Sequence, residues 1–177
     1  MKFFTHLILL AVISVLPMQA FAETLEAHVH GVATLQVAVD AKTLTLNFSS
    51  PLDSLLGFER KARNQAEVAQ VQAMIKQFYK ANLFVPTKAA QCALKSIHLK
   101  SIVIKSNSAV EHENAEEGHA DLDGEFIFTC KKAENLRDLQ VSLFKAFPNM
   151  HQLNAEVVSA RGQTAVKLNT ENTRLAW

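Results

Sequence analysis

Two short segments of the sequence place imidazole and carboxylate side chains at alternate positions. His28 and His30 are separated by one residue, and so are His119 and Asp121. Alternate side chains of a β-strand project from the same face, so each pair would share one surface of its strand. If the two strands pair, the four side chains converge. Nitrogen and oxygen ligands of this kind suit tetrahedral Zn²⁺, with Cu²⁺ also feasible, and the sequence therefore predicts a metal site here.

The simpler interpretation of any one of these histidines is a solvated residue on the surface of a strand. The same spacing in two separate segments favours the metal site over that interpretation. Gly31 and Gly118 adjoin the two clusters and leave room for close approach of the backbone. His98 stands alone in a predicted strand and is interpreted as structural, whereas His151 follows Pro148 and stays ambiguous.

A polar, acidic segment at residues 106–118 precedes the second cluster. It has almost no apolar residues, which predicts a flexible loop. Within it, His112 and Glu113 are weak auxiliary contacts for a metal ion. Glu26 is a third auxiliary candidate, because it shares the face of the first histidine pair if that strand extends far enough back.

No arrangement of catalytic residues is recognisable in the sequence. It lacks the G-x-S-x-G nucleophile motif, the H-E-x-x-H metalloprotease motif and a phosphate-binding glycine loop, and it holds only five glycines. A zinc hydrolase built on His28, His30 and His119 is formally possible, since three ligands and one open position form a catalytic arrangement. However, no general base or substrate pocket is identifiable. We therefore expect a binding protein and not an enzyme.

The N-terminus has the pattern of a cleavable secretory signal peptide. Lys2 precedes an apolar run at residues 7–16, and a small-x-small cleavage site ends at Ala22. The run is too short for a membrane anchor, which needs about 20 residues. We expect residues 1–22 to be removed and residues 23–177 to reach the periplasm, with no membrane span in the mature chain.

The predicted mature chain is electrically balanced. The sequence holds 18 basic and 17 acidic side chains, and Lys2 lies in the predicted leader, which leaves 17 of each. Nucleic-acid binding normally requires a basic patch, so this balance argues against a nucleic-acid partner.

The cysteines, Cys92 and Cys130, favour a disulfide, because an even count in an exported protein is typical of one. A thiolate pair on a metal is the alternative, but free thiolates survive poorly outside the cytoplasm. The strands that contain the two residues are joined by the acidic loop. If these strands are antiparallel, the cysteines meet at the ends far from that loop, which supports the disulfide independently.

Alternation with period two predicts strands, and three- to four-residue spacing predicts helices. The predicted strands cover about residues 32–39, 43–48, 92–105, 119–130, 153–159 and 164–168, and the first two are predicted to form an antiparallel hairpin with one buried face. The first helix is capped by Asn64 and has an apolar stripe of Val68, Val71, Ile75, Phe78 and Tyr79. The second helix covers residues 134–147, and residues 51–58 are predicted to be a loop. A break in alternation between Leu94 and Ile97 predicts a β-bulge. This order indicates a single α+β domain with two helices and a mainly antiparallel sheet.

Several motifs in the right order resemble the ZrgA-like family of zinc-regulated periplasmic proteins linked to bacterial zinc uptake. The matching segments are residues 26–31, 50–59, 119–122 with 128–130, 143–148, 161–163 and 174–177. The resemblance implies periplasmic binding of Zn²⁺ in support of an uptake system, alongside an ABC-type importer. The partners to expect are then a metal ion and a membrane transporter or its periplasmic component.

The sequence departs from the family pattern at two places. Similar proteins often carry a long histidine-rich loop before the segment that matches His119, whereas this chain retains only His112 and glutamates there. They also often have His at the position of Arg60. Both departures put high-capacity zinc collection in doubt and leave the site of His28, His30 and His119 intact. The alternative function is a periplasmic docking protein whose histidines are incidental and whose edge strand or loop binds a partner.

Overall fold

The computed structural model describes residues 29–80, 82–104 and 120–177. Its strands are β1 Val32–Asp40, β2 Thr43–Pro51, β3 Phe84–Pro86, β4 Cys92–Lys100, β5 Asp121–Cys130, β6 Asp138–Val141, β7 Gln152–Ser159, β8 Gly162–Asn169 and β9 Arg174–Ala176. Its helices are α1 Leu52–Leu56, α2 Gln65–Phe78 and α3 Leu143–Ala146, and short 3₁₀ turns lie at Lys88–Ala90 and Ala133–Asn135.

The larger of two sheets has six strands in the order β4-β5-β2-β1-β7-β8. Strands β1 and β2 form the predicted hairpin, with a tight turn in which Ala41 has a positive φ of 49°. Strand β1 is parallel to β7, and the remaining neighbours in this sheet are antiparallel. A second sheet has the order β3-β6-β9. The described residues thus make a single, mainly β domain with few helices, a form of the predicted α+β class with more strand than expected.

One face of the large sheet is buried and the other is exposed. The alternation predicted for the hairpin is confirmed, because Leu35, Val37 and Leu46 are buried while their neighbours Gln36 and Asn47 are exposed. The buried face packs against α2, the second sheet and the loops between them. At its centre is a group of aromatic rings from five different segments: Phe48, Phe78, Phe84, Phe126 and Phe147.

Helix α2 begins as its sequence predicts. The side chain of Asn64 accepts a hydrogen bond from the backbone N–H of Glu67 at 2.9 Å, which satisfies one of the free N–H groups of the first turn. The predicted apolar stripe is partly wrong. Val71, Met74 and Phe78 are buried, but Tyr79 is 56% exposed, because only one narrow side of the helix meets the sheet.

A second contact fixes the start of α2. The guanidinium of Arg60 donates two hydrogen bonds to the carboxylate of Glu67, at 2.6 and 3.0 Å, and the backbone N–H of Arg63 donates a third at 2.7 Å. The bond from Arg60 is the main reason that the pKa of Glu67 falls to about 2, and the bond from Arg63 adds to it. The same pairing raises the pKa of Arg60.

We expect this pair to stabilise the fold only above the acid range. A carboxylate whose pKa falls on folding contributes stability above its unfolded-state pKa of about 4.3, and loses that contribution as the pH drops toward the folded value. Glu67→Gln should therefore melt below the wild type at pH 7, and the gap should narrow between about pH 4.3 and pH 2. Arg60→Gln removes the other partner of the pair and should lower the melting temperature with the same dependence on pH. Melting curves across this range, followed by circular dichroism, test it. A gap that stays constant to pH 2 contradicts it.

The predicted helix at residues 134–147 is wrong. This segment contains a 3₁₀ turn, strand β6 and the short helix α3. Leu139 and Val141 are both buried, which is the period of a strand, and β6 pairs with β3 on one side and β9 on the other. Hydrogen bonds to two partner strands outweigh the helical spacing of the leucines. The predicted loop at residues 51–58 is also corrected, because it contains α1.

Strands β4 and β5 are antiparallel and joined by the predicted disulfide. Cys92 lies opposite Cys130, and the two sulfurs are bonded. The register of the pair shifts between Leu94 and Ser96, which confirms the bulge. Strand β4 ends at Lys100, earlier than predicted, and the acidic loop at residues 106–118 lies outside the described residues.

In the part of the chain that the structure describes, no helix has both the length and the apolar character needed to cross a membrane.

Candidate metal-binding site

His30 lies in a turn and not on a strand. Strand β1 begins at Val32, and the turn is closed by a hydrogen bond from the N–H of Val32 to the carbonyl of Val29 at 3.0 Å. The prediction that His28 and His30 project from one strand face is therefore wrong for His30. The His30 side chain is 61% exposed.

The backbone of Gly31 anchors this turn to the rest of the domain. Its N–H donates to the buried hydroxyl of Ser54 at 2.9 Å, which ties the turn to α1. Its carbonyl accepts from the N–H groups of His151 and Gln152, at 2.8 and 3.0 Å, which ties it to the start of β7. The position of His30 is thus fixed by bonds of the neighbouring residue to two separate elements.

Only glycine fits at position 31. The φ angle is +79°, and a Cβ atom would stand 2.7 Å from Cδ2 of His151 and 3.2 Å from the carbonyl oxygen of Asn149. The contact also explains His151, which the sequence left ambiguous: its ring packs on the glycine that holds the turn.

Helix α1 brings two carboxylates toward the same turn. Asp53 lies in its first turn, and the helix stops at Gly57, which has a φ of 78° and donates its N–H to the carbonyl of Asp53 at 2.8 Å. This left-handed residue is the usual way to end a helix and reverse the chain. After the reversal, Glu59 lies on the other side of the His30 ring.

The imidazole of His30 therefore lies between two carboxylates. Nδ1 is 3.4 Å from Oδ2 of Asp53, and Nε2 is 3.3 Å from Oε1 of Glu59. The carboxylates are better shielded than the ring, since the Asp53 side chain is 31% exposed and that of Glu59 is 18% exposed. The sequence interpretation missed both as site residues. Both belong to the segment at residues 50–59 that carried part of the family resemblance.

Asp121, the predicted carboxylate ligand, is the first residue of β5 and is half-buried. It lies opposite Pro51, and the carbonyl of the preceding residue, Ala120, accepts from the N–H of Leu52 at 2.8 Å. The start of β5 is therefore bonded to the junction between β2 and α1. Asp53 follows one residue after this junction.

Direct pairing of β1 with β5, the arrangement on which the predicted convergence depended, does not occur. Strand β2 lies between them, because it pairs with β1 through its hairpin and with β5 on its other side. His28, His119 and the auxiliary candidates Glu26, His112 and Glu113 lie outside the described residues. Within the described ranges alone, no group of three or more His, Cys, Asp or Glu side chains could hold a metal ion.

Arg60 is one of the two positions at which the sequence departs from the family pattern that it resembles. Its guanidinium is bound to Glu67 and lies over the ring of Phe58, with 5.0 Å from its central carbon to the ring centroid. The side chain therefore serves the start of α2 and supplies no ligand in place of an imidazole.

A family model described as "ZrgA family zinc uptake protein" matches residues 27–177. The chain belongs to the ZrgA family of zinc uptake proteins. No curated protein was found that matches the sequence. Membership of the ZrgA family confirms the resemblance that the sequence motifs indicated, and it gives the chain a role in zinc uptake. That role and the disulfide between Cys92 and Cys130 both suit an exported protein.

Proposed function

We propose that this protein captures Zn²⁺ in the periplasm and passes it to a membrane importer, with an ABC-type transporter as the partner. The observation that carries the proposal is the position of His30 between two carboxylates, in a member of a zinc uptake family. Imidazole nitrogen and carboxylate oxygen are ligands that zinc accepts readily. The exposure of His30 suits an ion that must enter and leave, and nothing in the proposal requires catalysis.

The proposed ligands are His28, His30, His119 and Asp121. Two of them, His30 and Asp121, lie beside residues whose backbone is bonded to α1. Gly31, next to His30, donates its N–H to Ser54, and Ala120, next to Asp121, accepts the N–H of Leu52. Zn²⁺ is the expected cargo, and the ligand types also allow Cu²⁺.

Calorimetric titration of Zn²⁺ into the metal-free mature protein at pH 7.5 tests this proposal. The triple variant His28→Ala, His30→Ala, His119→Ala should bind at least about 100-fold more weakly, since even residues that only support metal ligands contribute 10- to 100-fold. His98→Ala is the matched control. It removes an exposed histidine on β4 and should leave the affinity unchanged.

Equal binding by the wild type and the triple variant, or no binding by either, would refute the proposal. The docking function with incidental histidines would then lead. It predicts that binding to a periplasmic partner survives in the triple variant.

A further inference from the structure

We propose that Glu59 is a zinc ligand beside His30, and that Asp53 is the positioning residue that orients the His30 ring. This inference rests on the proposed zinc capture and deepens it, because neither carboxylate belongs to the ligand set predicted from the sequence. In this arrangement Nε2 of His30 binds the zinc ion together with Glu59, and Nδ1 donates its N–H to Asp53.

The distance from His30 to Glu59 fits two ligands of one ion. Zinc binds nitrogen and carboxylate oxygen at about 2.0–2.1 Å, so two ligands at a tetrahedral angle are about 3.3 Å apart. The separation of Nε2 and Oε1 is 3.3 Å. The spacing therefore leaves both atoms at positions that one Zn²⁺ could join. The distance from Nδ1 to Oδ2 of Asp53 is nearly the same, at 3.4 Å, so the roles of the two carboxylates are assigned from their exposure and from the segment that holds each of them.

The two carboxylates differ in ways that separate their roles. A histidine that binds zinc through one nitrogen usually donates the N–H of the other to a carboxylate or carbonyl, which fixes the ring and its tautomer. Glu59 is the less exposed of the two, at 18% against 31%, and partial exclusion of water strengthens its attraction for a cation. Asp53 has the shorter side chain and is held in a helix, which suits a partner that orients the ring.

Helix α1 contacts both the backbone of the turn at residues 29–32 and the imidazole ring of His30. Ser54 accepts the N–H of Gly31, and the residue before it, Asp53, lies against Nδ1 of His30. Two successive residues of one helix thus fix the turn and the side chain that it carries. Orientation of this kind lowers the cost of ordering a ligand when the ion arrives.

The neighbouring cation does not compete for the same position. Arg60 follows Glu59 directly, but its guanidinium is bound to Glu67 and stacked on Phe58. Its positive charge therefore lies toward the start of α2, whereas the carboxylate of Glu59 lies beside the His30 ring.

The test compares Glu59→Gln and Asp53→Asn with the wild-type mature protein, by Zn²⁺ titration and by the visible spectrum of bound Co²⁺. Both changes keep the size of the side chain and remove its charge. Glu59→Gln should weaken Zn²⁺ binding by at least 10-fold and alter the Co²⁺ bands, since a ligand is lost. Asp53→Asn should weaken it by about 10- to 100-fold and leave the Co²⁺ bands near those of the wild type.

The positioning role has its own readout. In ¹⁵N-histidine-labelled protein loaded with zinc, His30 should show a metal-bound Nε2 and a protonated Nδ1. In Asp53→Asn the Nδ1 proton should exchange faster with water, because its acceptor is weaker. Glu156→Gln is the control, since this exposed carboxylate lies on β7 opposite Gln36, about 20 Å along β1 from the site. Glu59→Asp gives a second measurement with the charge retained, and it should bind more weakly than the wild type.

The outcomes separate the two proposals. If the wild type binds zinc and Glu59→Gln binds equally well, this inference is overturned and the proposed function stands. If the wild type does not bind zinc, both are overturned. A change in the Co²⁺ bands confined to Asp53→Asn would reverse the two roles and overturn the assignment made here.

Discussion

Phe78→Ala should lower the free energy of unfolding by about 3 to 5 kcal/mol, as expected when a large buried aromatic side chain is deleted. Phe78 is completely buried at the end of α2. Its ring centroid lies 5.0 Å from that of Phe147 and 5.6 Å from that of Phe48, so it joins the segment after α3 to the large sheet. Deleting it removes the contacts of both neighbours and leaves a cavity that the strands cannot close.

Urea unfolding at neutral pH measures this loss, and Tyr79→Ala is the matched control. Tyr79 is the next residue of the same segment and is 56% exposed. Its replacement should change stability by no more than about 0.5 kcal/mol. Equal losses of unfolding free energy from the two substitutions would contradict this role of Phe78, because α2 would then not be held by the side that carries it.

The parts of the fold that the sequence predicted correctly are those with a local signal. The hairpin of β1 and β2 combines clean alternation with a short turn, and the start of α2 has a capping residue with a glutamate three positions later. The disulfide was expected because β4 and β5 are consecutive strands joined by one loop, with Cys92 and Cys130 at the ends far from that loop. Each of these features depends on residues close in sequence or on a covalent bond.

The second sheet had no such signal. Strands β3 and β9 have three residues each, too few to show a period. Leu136, Leu139 and Leu143 fit a helix as well as they fit the observed structure, and strand β6 is selected by its partners. Phe84 pairs with Val141 and Ala176 with Asp138, so the decision is made by residues far away in the chain.

The residues of the candidate site also divide into those with a local signal in the sequence and those placed by distant contacts. His30 was found because histidine is chemically distinctive, whereas Asp53 and Glu59 look like ordinary polar residues of a loop. Their approach to His30 depends on a bond between Gly31 and Ser54, 23 residues apart, and on the left-handed turn at Gly57. The one available signal was the presence of both acids in a motif shared with zinc uptake proteins. A family motif indicates which residues to inspect, and the turn geometry shows what they contact.

Removing the disulfide, as Cys92→Ala with Cys130→Ala, should lower the free energy of unfolding by about 3 to 4 kcal/mol. The bond closes a loop between residues separated by 38 positions, so its loss restores many conformations to the unfolded chain. Most domains are stable by only about 5 to 15 kcal/mol, which makes this a large part of the total. Urea unfolding of the variant and the wild type gives the difference, with the oxidised wild type as reference.

Reduction supplies the control for the two substitutions. A thiol reductant should bring the wild type close to the stability of the double variant and should leave the variant itself unchanged. Cys130 is buried and Cys92 half-buried, so some local opening must precede reduction. Strand β4 lies at the edge of the sheet and has β5 as its partner there, and β5 begins with Asp121 at the junction with α1. The loss of zinc-binding free energy should therefore be smaller than the loss of unfolding free energy, because β2 still pairs with the start of β5. If reduction leaves the urea midpoint of the wild type unchanged, the disulfide does not stabilise the fold as expected here.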